Sequence, residues 1–213
     1  MWKKIKKLIN LFKNILIDLF FPITCLNCQK EKEYLCLDCQ ALIDSSGFHQ
    51  KFSTENLFDL YFAADYKNKL IKKLINLFKN YPYVQQLAQP LALLIINHFQ
   101  LIDNKPDFSG FILIAMPVSR KELKKRGFNQ AELLAKNLSL FLEIPLLTNC
   151  LIKLDQTKNL NQSFEIKNIN LIKDKNILLV DDYYQTGQTM EKAGQALKKA
   201  KANKVIGLVV VRG

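Results

Sequence analysis

The sequence predicts an α/β fold, a parallel sheet flanked by helices, preceded by a small cysteine-rich head. Three observations carry this. From about residue 57 onward, short apolar runs alternate with apolar residues at helical spacing. Two of those runs end abruptly in polar, glycine-containing loops, which is where parallel sheets bind their ligands. Four of the five cysteines fall in two C-x-x-C pairs between Cys25 and Cys39.

Residues 1–22 begin basic and turn apolar. Trp2, Ile5, Leu8, Ile9, Phe12, Ile15, Leu16, Leu19 and Phe20 share one helical face, with Lys3, Lys6, Lys7, Asn10 and Lys13 largely opposite. The stretch therefore reads as an amphipathic helix ended by Pro22. Lys13, Asn14 and Asp18 interrupt the apolar run, and no small-residue cleavage site follows, which argues against an export signal and against a transmembrane segment. Such a stripe packs on its own protein or a partner, or lies on an acidic membrane.

Residues 23–45 form the head. Cys25, Cys28, Cys36 and Cys39 offer four soft ligands from two short turns, the arrangement tetrahedral zinc requires; two disulfides or a redox pair are the alternatives. Zinc thiolates imply a reducing, cytoplasmic setting. Cys150 stands apart and reads as a buried thiol acting as a small hydrophobe. Residues 44–56 are polar and turn-rich and read as a linker, with His49 a solvated loop residue. The main domain then spans 57–213.

Within it, the aromatic-rich stretch 57–66 reads as a strand. Leu70, Ile71, Leu74, Ile75, Leu77 and Phe78 predict a helix over 69–79. A second helix covers 84–99, with Pro90 in its first turn or at a kink and His98 on a surface or interface. Residues 111–116 form a buried strand stopped by Pro117. A basic segment (121–126) and a helix (129–141) follow, then a short strand at 144–147. Residues 175–180 are a buried strand, 189–201 a helix and 204–211 the last strand.

Composition narrows the partners. The chain has 213 residues, is 49% hydrophobic and carries a net charge of +12, so a real core is expected and disorder is not. Nearly all the positive charge is lysine, arginine occurring only at 120, 126 and 212. That balance suits nucleic acid, acidic lipid or phosphorylated metabolites, or else lysines spread over solvated faces.

Two stretches carry chemistry. The first is Ile177-Leu-Leu-Val-Asp-Asp-Tyr-Tyr-Gln-Thr-Gly-Gln-Thr189. Asp181 and Asp182, at the end of the strand, can accept from ribose hydroxyls. Gln185, Thr186, Gly187, Gln188 and Thr189, opening a helix, offer backbone N–H groups and hydroxyls to a phosphate. A strand ending in a helix-capping acid is the plainer alternative. No Gly-x-x-x-x-Gly-Lys-Ser/Thr occurs, which argues against a P-loop enzyme. The second stretch runs from Met116 to Gln130. Ser119, Arg120, Lys121, Lys124, Lys125 and Arg126 bring charge and donors suited to a diphosphate, Gly127 turns the chain, and Asn129 is a helix cap or donor followed by Gln130. Its alternative is a solvated basic turn.

The first stretch resembles the motif with which type I phosphoribosyltransferases bind phosphoribosyl diphosphate (PRPP). Arg126-Gly-Phe-Asn-Gln130 with the following Ala-Glu-Leu-Leu-Ala is similar to the hallmark of the ComF family. So are Ile17-Asp-Leu-Phe-Phe-Pro-Ile-Thr-Cys-Leu-Asn-Cys28 and Leu35-Cys-Leu-Asp-Cys39, and the signatures occur in family order. The resemblance implies a zinc-ribbon head on a type I phosphoribosyltransferase-like sheet. It further implies PRPP with Mg²⁺ on the acid pair and loops, and a role in DNA uptake for natural transformation. The net charge of +12, the lysine-rich faces and a zinc head next to aromatics make single-stranded DNA the expected partner, and a helicase or other competence protein fits the family; an active transferase is the alternative. The chain departs from the family pattern in having Gln185 before Thr186-Gly187. It also has no arginine between Gln156 and Phe164, where Lys158 supplies charge without the planar fork. Tyr61, Phe62, Tyr66, Tyr81, Tyr83, Tyr183 and Tyr184 are candidate stacking platforms for a nucleic acid.

Overall fold

The computed structural model describes residues 22–43, 49, 51–154 and 163–213. The amphipathic helix expected over 1–22, part of the linker and the arginine-free stretch that includes Lys158 lie outside the described residues. The chain divides into two compact units between Leu42 and Ile43. Among the described residues, no helix is long and apolar enough to cross a membrane.

In the N-terminal unit, an antiparallel bridge joins Thr24 and Glu31 across the first cysteine turn. Gln29 and Lys32 take left-handed φ of 64° and 76°, and Cys25 N donates to Lys30 O at 2.8 Å. The second cysteine pair opens a helix, α1 (Leu37–Ala41), whose N-cap is Cys36. Its five residues are too few for periodicity to reveal.

The second unit is built on a four-stranded, wholly parallel sheet. Its strands are β1 (Asp59–Asp65), β2 (Phe111–Ala115), β5 (Asn176–Tyr184) and β6 (Lys204–Arg212), in the order β1-β6-β5-β2. Ile177, Leu178, Leu179 and Val180 are fully buried, as a run apolar on both faces requires. The stretch expected as a strand at 144–147 forms instead a single parallel bridge, Leu113 to Leu146, on the edge of β2. A small antiparallel pair, β3 (Leu151–Lys153) with β4 (Phe164–Ile166), was not foreseen.

The helices follow the sequence closely. The first, α2 (Lys69–Lys79), is capped by Asn68, which accepts from the N–H groups of Leu70 and Ile71. A 3-10 turn leads into α3 (Ala88–Leu101), whose third residue is Pro90, where the missing N–H costs nothing. The basic segment is not a loop but a short helix, α4 (Arg120–Arg126). Ser119 and Glu122 close a capping box at its start, and Gly127, at φ 81°, ends it. Next come α5 (Gln130–Leu142) and α6 (Gln188–Lys199). Helix α3 packs on α5, β1 and β6; α5 packs on β2 and β5; and α6 packs on β4, β5 and β6. Ile177 and Leu179 join Met190, Ala193, Leu197, Val205 and Phe164 in one core. Each such side chain contributes about 1.5–3 kcal/mol by leaving water. Cys150 is buried in the same core, where removal from water pushes its thiol above the ordinary range.

Three local expectations are corrected. His98 is buried, at 3% exposure, near the Phe62 ring, because α3 is covered on that side by the sheet. His49 is not a solvated loop residue: its ring stacks on Tyr61 at 4.1 Å and its Nε2 lies 3.1 Å from Asp59 Oδ2. The described end of the linker also belongs to the domain. Thr54 and Asn56 donate to Glu191 on α6, and Phe52 N donates to Asp59.

Candidate functional site

The acid pair does not follow its strand; it lies within it. β5 continues through Asp181 and Asp182 to Tyr184, paired with β6 as far as Tyr184 opposite Arg212. The neighbour on the other side stops sooner. β2 ends at Ala115, opposite Val180, and Met116 N makes the last bond to Val180 O. Beyond Val180 the strand is therefore supported on one side and open on the other.

That open side faces a cavity of about 260 Å³. Of the sequence-predicted site residues, Asp181, Asp182, Gln185, Thr186, Gly187, Thr189, Arg126, Asn129 and Gln130 all line it. Gln188 and Ser119 are not among the lining residues, and Arg120 lines an adjoining cavity of about 350 Å³. Ser119 is committed to its helix: its hydroxyl accepts from Glu122 N and donates to Glu122 Oε2 at 2.9 Å.

Each lining group is held from behind. Gly187 has φ 76° and is the N-cap of α6, and a Cβ there would collide with the Tyr184 ring; only glycine fits both demands. Asn129 caps α5 by accepting from Ala131 N and donates through Nδ2 to Met116 O, locking the start of the helix to the end of β2. Gln130 is buried. Its amide donates to Phe78 O in the last turn of α2 and its Oε1 accepts from Arg126 Nη1 at 3.0 Å.

Three charged residues in the cavity were missed by the sequence reading. Lys79, on the last turn of α2, places Nζ 3.1 Å from Asp182 Oδ1. Glu122 lies 3.5 Å from Arg126, and 3.8 Å from Lys153 on β3. Signals for two of them were present. Lys79 falls one turn after buried Ile75, on the apolar stripe, where the period asks for a hydrophobe. Ser119-x-x-Glu122 is a capping-box pattern.

The electrostatics match the geometry. Removal from water, and then the charge of Asp182, push Asp181 up from 3.8 to about 8, against the pull of Lys79. Asp182 is only 4% exposed, and its Oδ2 has no hydrogen-bond partner among the described residues. A buried acceptor with nothing to accept from is costly unless a ligand supplies the donor. Burial also acts upward on Glu122, but hydrogen bonds from Ser119 and the charges of Lys153 and Arg126 bring it below the usual carboxylate range.

In the N-terminal unit the four cysteine sulfurs lie within 4.8 Å of one another. Tetrahedral zinc with bonds of ~2.3 Å needs sulfur separations of roughly 3.8 Å, so the donor set fits. Two further groups point at the sulfurs: Asn27 Nδ2 to Cys39 at 3.3 Å and Cys39 N to Cys36 at 3.4 Å. Such donors favour thiolates and fix their orientation.

Residues 123–213 match the phosphoribosyl transferase domain family. Competence protein ComFC of Bacillus subtilis (strain 168) is 34% identical over 134 residues, covering 55% of this chain and 53% of that protein. Competence protein F of Haemophilus influenzae is 30% identical over 100 residues, covering 41% of this chain and 44% of that protein. Over these stretches the chain is similar to the ComF competence proteins. It spans about half the length of these curated relatives. Solved structures similar to this chain include a purine phosphoribosyltransferase from Pyrococcus horikoshii Ot3 (TM-score 0.33, 19% identity, 50% of this chain and 73% of that one). Another is the UMP synthase of Leishmania donovani (TM-score 0.35, 17% identity, 67% and 24%).

The cysteine geometry makes a direct prediction. Metal analysis of the purified protein should find about one zinc per chain, lost in Cys36→Ser and retained in Cys150→Ala. Zinc retained in Cys36→Ser would remove the four-thiolate assignment.

Proposed function

We propose that this chain binds a ribose 5-phosphate carrying a diphosphate at C1, as in PRPP, and that it acts in DNA uptake like the competence proteins it is homologous to. The observation that carries the reading is the contiguity of two functions in one cavity. Asp181 and Asp182 present carboxyl oxygens as acceptors, one of them an orphaned buried oxygen, and Gly187 opens a twelve-residue helix a few residues later. A ribose diol needs two acceptors side by side, and a 5-phosphate needs N–H donors at the positive end of a helix dipole.

In this reading the diol donates to Asp181 and Asp182, and the 5-phosphate takes the N–H groups and hydroxyls around Thr186 to Thr189. Arg126, oriented by Gln130, faces the diphosphate. Hard divalent cations prefer carboxylate, phosphate and water oxygens, so the acid pair also fits Mg²⁺, which would neutralise phosphate charge. Because Asp182 hangs from a strand, and Asn129 and Gln130 are pinned to β2 and α2, the polar groups are arranged before the sugar arrives.

Calorimetric titration of PRPP with Mg²⁺ tests this. Binding in the micromolar range is expected for wild type, weakened at least about tenfold in Asp182→Asn, each tenfold being about 1.4 kcal/mol. Absent binding, or binding that ignores Asp182, would reject the reading.

A second reading, single-stranded DNA binding, is favoured by one feature. Tyr66 and Tyr183 face each other at 4.7 Å, with Lys72 5.4 Å above one ring and Lys79 5.3 Å above the other. They line a groove of about 440 Å³ that shares Tyr183 and Gln185 with the sugar cavity. Aromatic faces with cations alongside suit stacked bases next to phosphates. Oligonucleotide affinity should fall steeply with salt and drop in Tyr66→Ala, at a cost of about 1–3 kcal/mol per lost stack. Affinity that is flat in salt would count against it.

A further inference from the structure

Lys79 is set apart from the other cations of the cavity. Arg126 is already engaged by Glu122 and Gln130, and Lys153 by Glu122. Lys79 alone among them reaches into the acid pair, its Nζ 3.1 Å from Asp182 Oδ1 and 5.3 Å over the Tyr183 ring. The Asp182 side chain is 5% exposed and that of Lys79 31%, so the pair is shielded from water and only weakly screened by salt. The other oxygen of Asp182, Oδ2, is buried and has no hydrogen-bond partner among the described residues.

On the ribose phosphate reading, from which this inference follows, a hydroxyl on C2 of the sugar meets that carboxylate. The group on C1 is the next substituent around the ring. It must pass beside whatever stands on Asp182, and what stands there is an ammonium. A diphosphate at C1 would otherwise meet the Asp182 carboxylate, a like-charge encounter in a half-enclosed site. A free hydroxyl at C1 brings no charge and is indifferent to the cation.

We infer that Lys79 is the specificity-determining residue of this site: its ammonium, held on Asp182, selects sugar phosphates that carry an anionic group at C1 over ribose 5-phosphate itself. The lysine serves two partners in turn. Without ligand it neutralises Asp182, and with ligand it bridges the carboxylate and the C1 anion. The helix supplies the position, because Lys79 sits on the last turn of α2, where Gln130 bonds Phe78 O and fixes the helix end against α5. A cation is also favoured at that C-terminal turn by the helix dipole.

The test compares two probes, PRPP and ribose 5-phosphate, titrated into the full chain in the same Mg²⁺ buffer, for wild type, Lys79→Gln and Lys79→Arg. Wild type should prefer PRPP by about tenfold or more. Lys79→Gln should lose about tenfold in PRPP affinity and stay within about twofold for ribose 5-phosphate, so that the preference collapses. Lys79→Arg should keep most of it. Lys79→Met, of similar length, replaces the glutamine variant if thermal melting finds that one unfolded. Equal weakening of both probes would mean that Lys79 merely supports Asp182, and unchanged affinities that it does nothing; either result overturns the inference. If wild type binds ribose 5-phosphate and PRPP equally, selectivity is refuted while the sugar phosphate site stands. If it binds neither, the site reading itself falls and the inference with it.

Discussion

The unequal lengths of the neighbours of β5 are the constraint on which the site depends. β6 accompanies β5 to Tyr184, whereas β2 leaves it at Val180. Two acids in a loop would be free to turn toward water. Here they hang from a backbone that is still hydrogen-bonded on one side, and the missing partner on the other side opens the cavity. The same departure of β2 carries the chain through Met116 to the capped helix α4, and Asn129 returns to bond Met116 O. The end of one strand thus sets the depth of the pocket, the position of Arg126 and the start of α5.

A second regularity is that positive charge in the cavity arrives already paired. Lys79 stands on Asp182, and Arg126 and Lys153 stand on Glu122. A cluster of bare cations in a half-buried cleft would repel itself and bind any anion. Paired cations hold their geometry and yield to a ligand only when it offers something in return, such as an anion for the cation or hydroxyl donors for the acid. Gln130 links the two sides by bonding Arg126 with its carbonyl and the end of α2 with its amide, so Arg126 and the turn that carries Lys79 share one support.

Much of this was legible in the residues. Continuous apolar runs give buried parallel strands, and Ile177 to Val180 are fully buried. The periodicity of 69–79 names α2 to the residue, because Asn68 caps it and the stripe ends with it. Asp181, Asp182 and Gly187 could be picked out by order alone. What escaped depends on partners distant in sequence. That β5 outlasts β2 is decided by Arg212 and Ala115, not by anything near Asp181. The pair β3 and β4 has three residues per strand, too few to display a period of two. His49 looked solvated because its neighbours are polar, and only Asp59 and Tyr61 draw it in. Lys79 was hidden among the other lysines of its helix, although its place on the apolar stripe set it apart.

The most direct measurement is an NMR titration of the ¹⁵N-labelled chain with PRPP and Mg²⁺, read at the backbone amides. A ribose phosphate site at the end of β5 requires the largest shifts at Asp182, Gly187, Gln188 and Thr189, saturating together at one affinity, with the amides from Cys25 to Cys39 unmoved. Shifts centred elsewhere, or a spectrum that does not change at saturating ligand, would contradict the assignment of this cavity to a sugar phosphate.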